Sequence, residues 1–335
     1  VRWITIIGQL GNIYYTQKLW SNRSNPPTLP LVNALGSVSF TPLLVVTAIS
    51  ALVLPKVGSV IHALIILLAI FGDETRVQPT LICHGTIMLC CAFGLKSLNV
   101  ARAYLVGMWF FAGFHKLLSP AFFRDTAPWM LQGLSKHPPL WLSKSFGWLL
   151  CGGEMALGVL AFFPKTRRLA AMGAIALHVG IFLDLGPWGH RWNTAVWSWN
   201  ITMALCAPLL FWPWRESLKQ SVLNTHRALR PLFAVVLLGP ALWYVGLQHP
   251  YLAHHLYTDG LPTAEWCSGE DSVCTTDRGN DEVYSSLNVP LPPTHHTLAA
   301  YFLANCVHGD RLTIHEPRRF LRAQGITQVT VRCAR

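Results

Sequence analysis

Charge is scarce in this chain. Only 12% of its 335 residues are Asp, Glu, Lys or Arg, against roughly 25% in soluble domains, while 52% are hydrophobic. A water-soluble globule is thereby excluded, and a membrane protein is expected. Signatures of soluble catalysis are missing too: there is no Gly-x-Ser-x-Gly, phosphate loop, His-Glu-x-x-His or Gly-x-Gly-x-x-Gly. Internal repeats and low-complexity runs are lacking as well. Val1 stands where an initiator Met is absent and no signal peptide is recognisable, so a fragment or a processed product is expected.

The charge that is present is unevenly placed. Residues 1–247 hold 19 of the 26 Lys+Arg and 6 of the 15 Asp+Glu, a net +13, and residues 248–335 hold the rest, a net −2. The cations flank apolar runs, where they set orientation against the membrane, so nucleic acid is not an expected partner. Runs long enough to cross about 30 Å of hydrocarbon fall at 38–54, 58–71, 79–95, 100–118, 145–163, 169–185, 192–212 and 232–247. The second is short enough to be re-entrant. The sequence thus predicts an all-α polytopic membrane helix bundle of about eight spans, with a small C-terminal α+β extramembrane module. Residues 1–37 form an interfacial or partial membrane segment, 38–247 the transmembrane domain and 248–335 the module.

Lys165, Arg167 and Arg168 in one loop, and Arg215, Lys219, Arg227 and Arg230 in another, fall on the same face by parity, which the positive-inside rule makes cytoplasmic. The C-terminal module is then extracytoplasmic, in the endoplasmic reticulum or at the plasma membrane. Its Cys267, Cys274, Cys306 and Cys333 read as two disulfides with three possible pairings. Cys83, Cys90, Cys91, Cys151 and Cys206 lie in apolar runs as small hydrophobes. The Cys267 to Cys274 spacing does not suit a zinc ribbon, and no metal is predicted. In the 119–144 connection, Phe122, Phe123, Trp129, Met130 and Trp141 are expected to enter the lipid boundary while Arg124, Lys136 and Lys144 stay wet. Within the module, 281–290, 311–315 and 327–333 read as strands, and 297–307 and 318–323 as helices.

An ionisable group at membrane depth costs at least about 2.5 kcal/mol, so each is a functional candidate. They are His84, His115, Lys116, Glu154, His178 and Asp184. Lys116 ends an aromatic-rich run and either snorkels to the interface or, partly desolvated, acts as a base. Glu154 and His178 fall near one depth in adjacent spans, where a hydrogen bond between them either locks two helices or handles protons. Asp184 is placed to pair with Lys116. His84 reads as a core histidine or a catalyst. Trp197, Trp199 and Asn200 either pack helices or line a site for a ring-shaped apolar ligand such as a quinone.

Phe111-Ala112-Gly113-Phe114-His115-Lys116-Leu117, then Glu154-Met155-Ala156-Leu157-Gly158-Val159-Leu160, then Leu177-His178, resemble the HTTM family, the membrane core of vitamin K-dependent γ-carboxylase, over about residues 40–230. A weaker similarity to the four-helix DoxX/MauE proteins covers residues 100–185. The HTTM resemblance implies that Lys116 deprotonates a reduced quinone, a vitamin K hydroquinone-like cofactor, with His178 and His84 at positions of family histidines; beside it, Glu154 and His178 are expected to support Lys116, and Trp197, Asn200, Phe111 and His84 to surround the ligand. Only 88 residues follow Leu247, too few for the carboxylase's peptide-gripping region. The expected function is therefore HTTM-type chemistry on a quinone or another lipid-soluble small molecule. The rival expectation is a non-catalytic membrane scaffold or lipid-binding protein whose C-terminal module binds a protein partner. Membrane lipid is a partner in both.

Overall fold

The fold was obtained as a computed structural model that describes residues 1–133, 137–258, 260–269, 273–276 and 278–333; Lys136 lies outside the described residues. Prolines open several helices, where a fixed φ suits the first turn and no amide hydrogen is needed. After α1 (Arg2–Tyr15), Pro42 opens α2 (Thr41–Val53), Pro55 opens α3 (Pro55–Gly72) and Pro79 opens α4 (Pro79–Ala92). Then come α5 (Leu98–Leu117), short α6 (Ala127–Gln132), α7 (Leu140–Phe162), α8 (Arg167–Leu185), α9 (Ala195–Phe211) and α10 (Arg230–Leu238).

The bundle is apolar outside and small inside. Ile7, Val46, Leu149, Leu169 and Leu205 are exposed, whereas Ala48, Ala51, Ala161, Ala170, Ala174 and Ala207 are completely buried. Water would not tolerate that exterior; lipid does, and small residues let helices approach where lipid supplies no hydrophobic drive for packing. The protein is an integral membrane protein. Four stretches among the described residues are both long and apolar enough to span: Pro55–Gly72, Leu140–Phe162, Arg167–Leu185 and Arg227–Val245. The expected eight spans are therefore not confirmed. Thr41–Val53, Pro79–Ala92 and Ala195–Phe211 are apolar but shorter. The 20-residue α5 is long enough but carries Asn99, Arg102, His115 and Lys116, and it is buried along most of its length. A helix sheathed by protein does not need a lipid-compatible surface.

The two basic loops meet at one end. Arg167 donates to the carbonyls of Ala161, Phe162, Trp214 and Glu216 and stacks on Trp214. A residue read as a loop cation thus ties α8 to the connection after α9.

At the opposite end sits a four-stranded antiparallel sheet in the order β2-β1-β3-β4, made of β1 (Thr263–Ser268), β2 (Val273–Thr276), β3 (Arg311–His315) and β4 (Gln328–Arg332). Its inner face, with Trp266, Leu312 and Ile314, packs with Tyr301 and Phe302 of α12 (His295–Asn305). The disulfides pair Cys267 with Cys274 across β1 and β2, and Cys306 with Cys333. Glu265 lies beside Cys267 and Cys274, but both sulfurs are committed to each other and offer no thiolate to a metal.

The predicted strand at 281–290 is instead mostly α11 (Arg278–Leu287). Val283 and Leu287, four apart, are both buried, a helical period that the flanking polar residues obscured. β1 and β2 were not expected.

The module is fastened to the bundle by polar contacts. Glu74, after α3, accepts hydrogen bonds from Thr294 Oγ1 at 3.0 Å and His296 Nδ1 at 2.5 Å. Asn193, before α9, donates its amide to Tyr257 and its backbone N–H to Tyr284.

Candidate functional site between the bundle and the module

Two glycines set the site's geometry. A Cβ on Gly113 of α5 would lie 2.5 Å from the Cys151 carbonyl oxygen, and one on Gly158 of α7 would lie 2.7 Å from Phe110 Cβ. Without side chains there, α5 and α7 pack backbone to backbone. Gly113 therefore admits a helix. One turn further along α5, Lys116 Nζ donates to Glu154 Oε2 at 2.7 Å, with both side chains about 7% exposed. Lys116 does not snorkel.

The expected Glu154 to His178 bond is not formed. His178 Nε2 accepts from Trp109 Nε1 at 3.1 Å, and its Nδ1 lies 2.8 Å from Asn200 Oδ1. Indole nitrogen can only donate, so Nε2 is the acceptor and Nδ1 carries the hydrogen given to Asn200. The Asn200 amide nitrogen in turn donates to the Val196 carbonyl. His178 is thus a neutral imidazole with both nitrogens committed. Asp184 does not reach Lys116 either; its Oδ1 is 3.7 Å from His190 Nε2.

Lys116, Glu154, His178 and Asn200 converge on a cavity of about 400 Å³. Its bundle walls include Met108, Trp109, Ala112, Leu177 and Trp199, and residues 251, 254–258, 261–264, 280, 290, 291, 293 and 298 of the module contribute its roof. That volume lies within the range of small-molecule sites, and the wall has the usual form of apolar surface with a few polar groups. Three other residues expected around a ligand do not line it. Trp197 Nε1 donates to the carbonyls of Leu185 and Trp192. Phe111 packs edge-on against Phe110 and Phe114. His84 is fully buried elsewhere, with neither nitrogen hydrogen-bonded. In the 119–144 connection, Phe122 is buried and Met130 lines the cavity, so neither enters lipid, whereas Trp141 is exposed.

Sequence reasoning missed the roof. Tyr251, His254, His255 and Tyr257 all line the cavity, and the signal was a run of aromatic and imidazole residues directly after the last apolar stretch. His255 stacks on His115 with ring centroids 4.2 Å apart, and His254 sits edge-on to Tyr104. Burial pushes His254 down to about 3. His255 falls to about 2, through burial first and then the nearby His115, Lys116 and Arg318. Both are neutral at physiological pH. His115 is held between the Tyr244 hydroxyl and the Ala253 carbonyl, which ties the end of α5 to this roof.

The family model for methylamine utilisation protein MauE matches residues 95–186. That segment is MauE-like. It runs from α5 through α8 and carries Lys116, Glu154, His178 and Asp184, so the ion pair and one wall of the cavity belong to the MauE-like segment. No HTTM match accompanies it; the HTTM resemblance, carried by the stretches at 111–117, 154–160 and 177–178, is withdrawn, and carboxylase chemistry with it. No curated protein and no solved structure matches the chain.

Proposed function

We propose that this integral membrane protein binds a flat, lipid-soluble ligand of the quinone class between its MauE-like segment and its C-terminal module. The observation that carries the reading is the convergence of a buried ion pair on an otherwise largely apolar, Trp-walled cavity. Lys116 offers an N–H to a ring oxygen, Glu154 is the adjacent proton acceptor, and the fixed His178–Asn200 pair orients the ring. Lys116 is already engaged by Glu154, so its role is donor, and the general-base role passes to the carboxylate. The module is proposed to face the extracytoplasmic side, supported by its two disulfides and by the basic loops at the opposite end.

Purification in mild detergent followed by lipid mass spectrometry tests the reading, together with tryptophan quenching by a short-tailed quinone. Saturable quenching that is lost in Trp109→Phe,Trp199→Phe is expected. Non-saturable quenching unaffected by those changes overturns it. A second reading, a scaffold whose module binds a partner, is favoured by the polar outer face of the sheet, where Arg311, His315, Gln328, Thr330 and Arg332 are exposed. Under that reading the ion pair only locks helices, and a module-directed pull-down works equally well with Lys116→Met.

A further inference from the structure

α1 buries polar side chains that a membrane bundle seldom needs. Its exposed side carries Trp3, Ile7 and Tyr14, and its buried side carries, beside Ile6 and Ile13, the polar Thr5, Gln9 and Asn12, continued by Thr16 just past its end. Steps of four, three and four residues put these on one face, a polar row about 16 Å long at 1.5 Å per residue. The row meets polar groups of three other helices and, through His62, of a fourth. Gln9 Nε2 lies 2.8 Å from His62 Nε2 of α3, whose Nδ1 lies 2.8 Å from Thr47 Oγ1 of α2. Asn12 Nδ2 donates to Thr80 Oγ1 of α4 at 2.9 Å, and Thr80 lines the cavity described above. Gly8 lets α1 close onto His84 of α4 and Thr202 of α9; a Cβ there would lie 3.1 Å from His84 Nε2.

These bonds leave several polar atoms of the row and its neighbours unmet. Gln9 Oε1, Asn12 Oδ1, Ser59 Oγ, Ser198 Oγ and both nitrogens of His84 are buried without a hydrogen-bond partner. Each such group costs about 1–3 kcal/mol if left dry. Helix packing alone is served better by apolar residues of the same size, so a row of unmet polar atoms needs another explanation.

We propose that α1, α2, α3, α4 and α9 enclose a hydrated proton path that runs along this row and ends at Thr80 on the cavity. The orphaned atoms are its water-binding positions, and His84, both of whose nitrogens lack a protein partner, is its exchange site, while His62 is held by Gln9 and Thr47 as part of the wall. A proton taken up at one imidazole nitrogen is balanced by loss of the proton on the other, which leaves a neutral ring in the opposite tautomer. Reorientation of the ring restores the starting state. The path lies outside the MauE-like segment, and it does not depend on which ligand the cavity holds.

Radiolytic hydroxyl-radical labelling of the full chain in nanodiscs tests hydration. Normalised to the free amino acids, His84 is expected to be modified at least tenfold faster than Phe122 and Phe211, which are equally buried. Proteoliposomes containing pyranine, given a pH step with valinomycin present, test conduction. His84→Leu, and separately Gln9→Leu, are expected to slow proton entry at least tenfold, to the rate of protein-free vesicles. Equal labelling of His84 and the two phenylalanines overturns the proposal, as does wild-type protein no more permeable than empty vesicles.

Discussion

Lys116 of α5 and Glu154 of α7 form a 2.7 Å ion pair inside the bundle, at the point where Gly113 lets the two helices touch. Each charge is the other's main compensation in a low-dielectric surrounding. Removing one should therefore cost more than removing both.

Lys116→Met or Glu154→Leu alone is expected to destabilise by about 3–5 kcal/mol, because each strands a buried charge. The double variant should lose much less than the sum. Thermal unfolding in detergent across the four proteins measures the coupling, and additive losses would show that the pair is not the unit holding α5 to α7.

Gly113→Val places a side chain against the Cys151 carbonyl. Overpacking at such a site costs about 1–3 kcal/mol, and the forced separation should weaken the ion pair as well. Ligand retention on purification is expected to fall further than in Gly152→Val, since a Cβ on Gly152 meets nothing within 4 Å. Equal behaviour of the two variants contradicts the close-approach argument.

His178→Phe leaves the Trp109 N–H and Asn200 Oδ1 without partners, and a loss of about 1–3 kcal/mol is expected. Ultraviolet resonance Raman should report a weaker indole hydrogen bond. An unchanged indole signal means that Trp109 does not donate to His178.

Acid should loosen the roof. His254 and His255 are held neutral well below the ordinary 6.5, so the unfolded chain binds protons that the folded one refuses. Their stabilising contribution is complete above pH 6.5 and declines as pH falls toward 3, by about 1.4 kcal/mol per pH unit for each group. Burial would raise Glu316, but hydrogen bonds from Arg318 and His295 outweigh it and hold the carboxyl down at about 2. Its contribution is present above about 4.5 and is lost as pH falls from there. Melting temperature is expected to drop steadily below pH 6.5. His254→Phe,His255→Phe should reduce that slope between 6.5 and 4.5, leaving the share of His249, which burial lowers to about 4, and the Glu316 portion below it. An unaltered slope in the double variant refutes the assignment.

Composition and apolar runs alone established that this is a membrane protein, because no fold can bury so much apolar surface in water while presenting so few charges to it. They also marked Lys116, Glu154 and His178 as exceptional, since any ionisable group in an apolar run must be compensated. What compensates it is not readable from depth along a helix. Matched depth suggested Glu154 with His178, but rotation about the helix axes and the contact at Gly113 and Gly158 turned Glu154 to Lys116 and left His178 to Trp109 and Asn200. Hydropathy likewise counted runs rather than surfaces. It could not tell α5, sheathed by protein, from a helix that faces lipid, nor recognise α11 from Val283 and Leu287 among polar neighbours. The roof of His254 and His255 and the polar row of α1 exist only once distant segments pack, because a side chain's chemistry is decided by what excludes water from it, and that is a property of the assembled fold.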